Sequence, residues 1–294
     1  MRKMKATFIV GTGRCGSTLL HEILAKHEDV SFFSNFEDNH KKLGFIGPYA
    51  GALYRNNHFS FSRVGKKRFA PSEAYQLIAR KISPIYVRPY RDLTAEDLTP
   101  WMKKRFYDYF YKSYIRYGKP GFIHKYTGWS RLGFFAEIFP EAKFVHIVRD
   151  GRAVANSWLQ MTWWGGYEGV DNWLWGPLSK EDYQEWENNN RSFVSLAGIS
   201  WRMLMDSYEK ASSELDQERY LQIKYEDFLT NPRDQMKKVL EFSGQEWDEN
   251  FEKQFNRFEI RKSRERAFED DLSPEQLEVL QNCLQEKLIK YGYS

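Results

Sequence analysis

Apolar positions along this chain follow two periods. Short runs of β-branched and aromatic residues recur at 7–10, 30–33, 122–125, 143–148 and 220–224, and each reads as a buried strand. Between them the spacing turns helical. Leu19, Leu20, Ile23 and Leu24 form one stripe, and further helical stretches cover residues 73–81, 95–114, 131–139, 153–159 and 193–210. Asn231-Pro232 opens another helix with a capping residue and a first-turn proline, and Ser243-Gly244 stops it. The last helix announces itself most clearly: Ser273-Pro274-Glu275-Gln276 is a capping box, followed by Leu277, Leu280, Leu284 and Leu288 on one face. Strands that alternate with helices imply one α/β domain over residues 1–294, with a mostly parallel sheet flanked by helices.

Two segments break this rhythm. Residues 40–118 mix basic residues, Tyr and Phe with helical stretches, and read as a helical insertion carrying part of a substrate pocket. Residues 161–195 form the second insertion. There Trp163, Trp164, Trp173, Trp175 and Trp186 sit among Gly165, Gly166, Gly169 and Gly176, a loop with bulky rings that could serve as a lid, a stacking surface or core.

Composition narrows the class. Fifty aromatic residues among 294 supply far more apolar area than a disordered chain carries. A net charge of +4 is too mild to argue for nucleic acid. No apolar run approaches the roughly 20 residues that span a bilayer. The two cysteines, Cys15 and Cys283, match no metal-ligand spacing, so a reducing, cytoplasmic setting without a metal is expected.

The first chemistry follows the first strand. Gly11-Thr-Gly-Arg-Cys-Gly-Ser-Thr18 fits the P-loop pattern G-x-x-x-x-G-K-[ST] except that Ser17 stands where the lysine belongs. That lysine neutralises terminal phosphates of a nucleoside triphosphate. Without it, the loop still offers backbone N–H groups at a helix N-terminus, and Arg14 adds a cation with a fork suited to phosphate oxygens. A second anion site is expected at Arg149, which ends the 143–148 strand, with Ser157 in the following helix. Ligands of open α/β sheets bind at such strand ends, and two separated sites suggest a ligand with two separated phosphates.

Four segments taken in order, FIVGTGRCGSTLL, FVHIVRDGRAVANSW, LQIKYEDFLTNP and the LSPEQLEVL helix, resemble the PAPS-dependent sulfotransferase family, closest to its bacterial and protein-tyrosine branch. The resemblance covers most of the chain, leaving out the two insertions. It implies a P-loop NTPase-like fold and transfer of a sulfuryl group from PAPS (3′-phosphoadenosine 5′-phosphosulfate) to a hydroxyl of a small-molecule, lipid or carbohydrate acceptor. By that resemblance Arg14, Cys15, Gly16, Ser17 and Thr18 cradle the 5′-phosphosulfate. Arg149 and Ser157 hold the 3′-phosphate, Tyr225 lies by the adenine, and Arg261-Lys262 closes over the 3′-phosphate. Ser263 stands where the family pattern has glycine.

A sulfuryl donor has no γ-phosphate, which accounts for the missing lysine. The resemblance places a catalytic Lys at Lys125, sharing charge stabilisation with Arg14. For the base it points to the neighbourhood of residues 34–35, and Glu37 is the favoured candidate, with Asp38, His40 and His124 as others. Strand neighbours face opposite ways, so His124 and Lys125 should not enter one site, whereas Thr127 shares the face of Lys125. Two other readings stay open: a P-loop small-molecule kinase with Asp150 or Asp227 on Mg²⁺, and a non-enzymatic nucleotide- or polyanion-binding module using Arg149, Arg152, Arg261, Lys262, Arg264 and Arg266.

Overall fold

A computed structural model describes residues 4–40, 46–56, 68–260 and 265–293. Five strands, β1 (Ala6–Gly11), β2 (Val30–Ser31), β3 (Gly121–Thr127), β4 (Lys143–Val148) and β5 (Tyr220–Lys224), form one sheet in the order β2-β3-β1-β4-β5. Every pairing is parallel. The expected single α/β domain with a parallel sheet is therefore what forms. All six residues of β1 are buried, as a central strand covered on both faces requires.

Alternation along the strands splits the core in two. Phe8 and Val10 of β1, Phe122 and Tyr126 of β3 and Phe144 of β4 point to an aromatic layer that includes Phe106, Phe110 and Phe135. Ile9, Ile123, Val145 and Ile147 point the other way, onto Leu20, Ile23 and Leu24 of the helix Ser17–Leu24. A third cluster, beside the sheet, gathers Trp158, Trp164, Trp173, Trp175, Trp186 and Trp201 around the helices Gly151–Leu159, Phe193–Ser213 and Pro274–Lys290. Four of the five tryptophans of the 161–186 stretch are thus core; only Trp163 is exposed, at 43%.

The chain order around the sheet decides where function can sit. After β1 the chain moves outward to β2 and returns through β3, then crosses to the opposite side of β1 to make β4 and β5. The loops leaving β1, β3, β4 and β5 all emerge at the same, C-terminal, edge. Strand order reverses at β1, and the crevice beyond that point is where such sheets bind ligands. Among the described residues no helix is long and apolar enough to cross a membrane. Cys15 and Cys283 are both buried free thiols.

Candidate active site

The turn after β1 wraps tightly because Gly13, Arg14 and Gly16 take left-handed backbone conformations, with φ of 84°, 55° and 91°. At Gly16 the geometry admits no other residue: a Cβ there would fall 2.2 Å from Cδ2 of Tyr225, whose ring lies directly on the glycine. The helix Ser17–Leu24 then starts without a side-chain cap, which leaves its first N–H groups facing the turn. Cys15 is fully buried, with Sγ turned toward Gly11, so only its backbone can serve the loop.

The residues expected to bind the two ends of a donor meet at this turn. Arg14 Nε donates to Ser157 Oγ at 2.8 Å, and Arg149 Nη1 donates to the Arg14 carbonyl at 2.9 Å. The Arg149 guanidinium stands over the Tyr225 ring, 4.9 Å from its centroid. Arg149 reaches this place because Asp150 ends the strand and caps the next helix, accepting from the Arg152 N–H at 2.8 Å. Burial pushes the Tyr225 phenol up, so it stays neutral beneath the cation. Arg261 and Lys262 lie outside the described residues.

Pairing of β3 with β1 puts Lys125 beside Ile9 and Thr127 beside Gly11, at the base of the glycine turn. Lys125 Nζ donates to Thr18 Oγ1 at 2.7 Å and pairs with Glu73 at 3.0 Å. The same Glu73 carboxylate accepts from Thr127 Oγ1 at 3.1 Å. Together these residues line a cavity of about 670 Å³. One wall is Thr12–Thr18, Arg149 and Tyr225; the other is Glu73, Tyr75, Gln76, Val87, Arg88 and Pro89, with Trp129, Arg131, Trp163, Leu174 and Trp175. The 40–118 segment does contribute to the pocket, through residues 73–89.

The expected base candidates are placed elsewhere. His124 faces the aromatic layer, fully buried, within hydrogen-bond reach of Tyr86 Oη at 3.1 Å; burial lowers its pKa to about 3. Glu37 is 2% exposed and does not line the cavity. It forms a capping box with Ser34 and accepts from Tyr117 Oη at 2.6 Å and Arg116 at 3.2 Å. Burial raises its pKa against those bonds. Asp38 is spent on the N–H of Leu77 (2.7 Å) and on Ser72, and the His40 ring stacks on Phe36. The carboxylate that does reach Lys125 is Glu73. It stands in the insertion, in no pattern the sequence reading used.

A parallel α/β sheet with a glycine turn, two arginines and a lysine gathered at one strand edge defines a P-loop-like anion-binding protein. The sequence pattern described as the sulfotransferase family matches residues 6–249, and the chain belongs to that family. Omega-hydroxy-beta-dihydromenaquinone-9 sulfotransferase Stf3 of Mycobacterium bovis, and its counterpart in Mycobacterium tuberculosis, are 25% identical over 259 residues. That stretch is 81% of this chain and 62% of theirs, so the chain spans less than two thirds of the length of these curated relatives. Among solved structures, the sulfotransferase domain from the curacin biosynthetic pathway superposes with a TM-score of 0.58 at 14% identity, covering 100% of this chain and 99% of that one. STF9 from Mycobacterium avium also reaches 0.58 at 14% identity, covering 100% and 78%. These two share the fold.

Proposed function

We propose that this protein transfers the sulfuryl group of PAPS to the hydroxyl of a small-molecule, lipid or carbohydrate acceptor. The observation that carries the reading is the meeting of the glycine turn, Arg149, Tyr225 and Lys125 on one cavity, with Ser157 bonded to Arg14 and Lys125 to Thr18. In this reading the turn's N–H groups and Arg14 hold the 5′-phosphosulfate. Arg149 and Ser157 take the 3′-phosphate, and Tyr225 faces the adenine.

The acceptor oxygen attacks sulfur in line. A new S–O bond forms as the bond from sulfur to the 5′-phosphate oxygen breaks, and adenosine 3′,5′-bisphosphate leaves with the electron pair. Lys125 faces the oxygens where that charge appears, and a fixed cation there lowers the barrier. The hydroxyl proton must go to a base in the cavity. Among the described residues Glu73 is the carboxylate lining it, and we give it this role in place of Glu37, which is 2% exposed and does not line the cavity.

Calorimetric titration with adenosine 3′,5′-bisphosphate and with ATP, each with and without Mg²⁺, separates this reading from a kinase. The bisphosphate is expected to bind tighter, with no need for Mg²⁺; tighter, Mg²⁺-dependent ATP binding would overturn the reading. Binding of neither would favour the non-enzymatic module. Arg149→Ala should weaken bisphosphate binding roughly 30- to 150-fold, the worth of one charge-assisted bidentate contact. Affinity for adenosine 5′-phosphosulfate, which lacks the 3′-phosphate, should hardly change. Equal losses for both would remove Arg149 from the 3′-phosphate.

A further inference from the structure

The wall of the cavity away from the glycine turn carries two arginines, Arg88 and Arg131, that no carboxylate pairs among the described residues. Arg131 is 3% exposed, yet among the described residues no carboxylate comes within ion-pairing distance of its guanidinium. Its Nη1 donates to the carbonyls of Thr127 at 3.1 Å and Trp129 at 3.5 Å, its guanidinium lies 5.3 and 5.6 Å from the ring centroids of Tyr86 and Tyr126, and its Nε has no hydrogen-bond partner. Asp92, close by, spends its oxygens on Ser130 Oγ (2.5 Å) and on the Arg131 backbone N–H (2.7 Å). The buried indole N–H groups of Trp129 and Trp175 are also unpartnered. A second guanidinium, Arg88, is exposed on the same cavity and has no partner among the described residues.

A buried cation without a counter-charge costs stability, and orphaned donors cost more. The one carboxylate lining the cavity, Glu73, is engaged by Lys125 and Thr127. What this wall lacks is a set of acceptor oxygens carrying negative charge. Apart from Tyr75 and Gln76, the rest of it is apolar: Trp129 and Trp175 are less than a tenth exposed, and Trp163, Leu174, Val87 and Pro89 continue the surface.

We propose that the acceptor is an amphipathic hydroxy acid whose carboxylate is held by Arg131 and Arg88. Its apolar body lies on Trp129, Trp163 and Trp175, and its hydroxyl reaches Lys125 and Glu73. This rests on the sulfotransferase reading above and narrows its acceptor to molecules that bring their own anion.

The test uses matched probes on the full chain loaded with adenosine 3′,5′-bisphosphate: 12-hydroxydodecanoate against its methyl ester, and 4-hydroxyphenylpropanoate against its methyl ester. In at least one pair the acid should bind tenfold or more tighter than the ester, the effect expected when a charge-assisted contact is lost. Arg88→Gln and Arg131→Lys should each shrink that ratio, Arg88→Gln on a fold left intact because the side chain is exposed. Esters that bind as well as their acids, probes that do not bind at all, or a ratio untouched by Arg88→Gln would each overturn the proposal. Failure of the bisphosphate itself to bind would instead strike the donor reading, so the two failures are distinguishable.

Discussion

Lys125 makes two contacts with different chemical consequences. Toward Thr18 it faces the glycine turn, where we place the donor; toward Glu73 it faces the carboxylate we propose as proton acceptor. If Lys125 stabilises charge that exists only in the transition state, Lys125→Ala lowers kcat about 10²- to 10³-fold with little change in donor affinity. Glu73→Gln removes the proton acceptor, and its cost should follow the acidity of the acceptor. A phenol near pKa ~10 gives up its proton far more easily than an alcohol. Turnover of an aliphatic acceptor should therefore drop by roughly 10²–10⁴, and of a phenolic one by less. Steady-state kinetics on both acceptor types checks this; equal losses on the two would take the base role from Glu73.

At the scale of elements, the short helix Asn35–Asn39 explains why Glu37 looks functional in the sequence. Ser34-Asn-Phe-Glu37 is itself a capping-box pattern, so the signal for a structural role was present three residues upstream. Through Tyr117 and Arg116 the same carboxylate ties this helix to the C-terminal end of the helix Pro100–Tyr117. Glu37→Gln should cost about 1–3 kcal/mol of stability, because the buried Tyr117 hydroxyl and the part-exposed Arg116 lose their carboxylate acceptor. Turnover per folded molecule should persist, and thermal unfolding alongside kinetics separates the two effects. An unchanged melting temperature with lost turnover would return the base to Glu37.

The strands, the glycine turn and the final helix are legible because each is a local pattern whose spacing the fold preserves. Lys125 and Thr127 sharing a face, with His124 on the other, follows from strand alternation alone. Glu73 and Arg131 are not legible in this way. One comes from an aperiodic insertion and the other from the left-handed residue after β3, and both reach the cavity only through tertiary packing. The tryptophans of 161–186 look alike in sequence, and the packing of the helix Phe193–Ser213 decides that most of them are core.

For the whole molecule, His21, His124 and His146 are three of the four histidines with at most 1% exposure among the described residues. Burial lowers all three, His124 and His146 to about 3 and His21 well below its ordinary 6.5. Below pH 6.5 the unfolded chain binds protons that the folded protein refuses. Folding stability is therefore fully present above that value and falls as the solution is acidified toward 3. Each such group contributes about 1.4 kcal/mol per pH unit, so the three approach about 4 kcal/mol per unit. Denaturant unfolding at pH 7, 6 and 5 should show this steepening; a flat profile over that range would mean the histidines are protonated in the folded state.

The contact between Gly16 and the Tyr225 ring sets a rule for anyone redesigning the pocket proposed here for the nucleotide. Trimming Tyr225 would open room for a different base, and the aromatic position is free to be exchanged on steric grounds. Position 16 is not, even then. Its φ of 91° would remain, and a side chain placed there would be strained with no neighbour left to blame. A change in the proposed nucleotide preference therefore has to be sought at position 225 and not at 16.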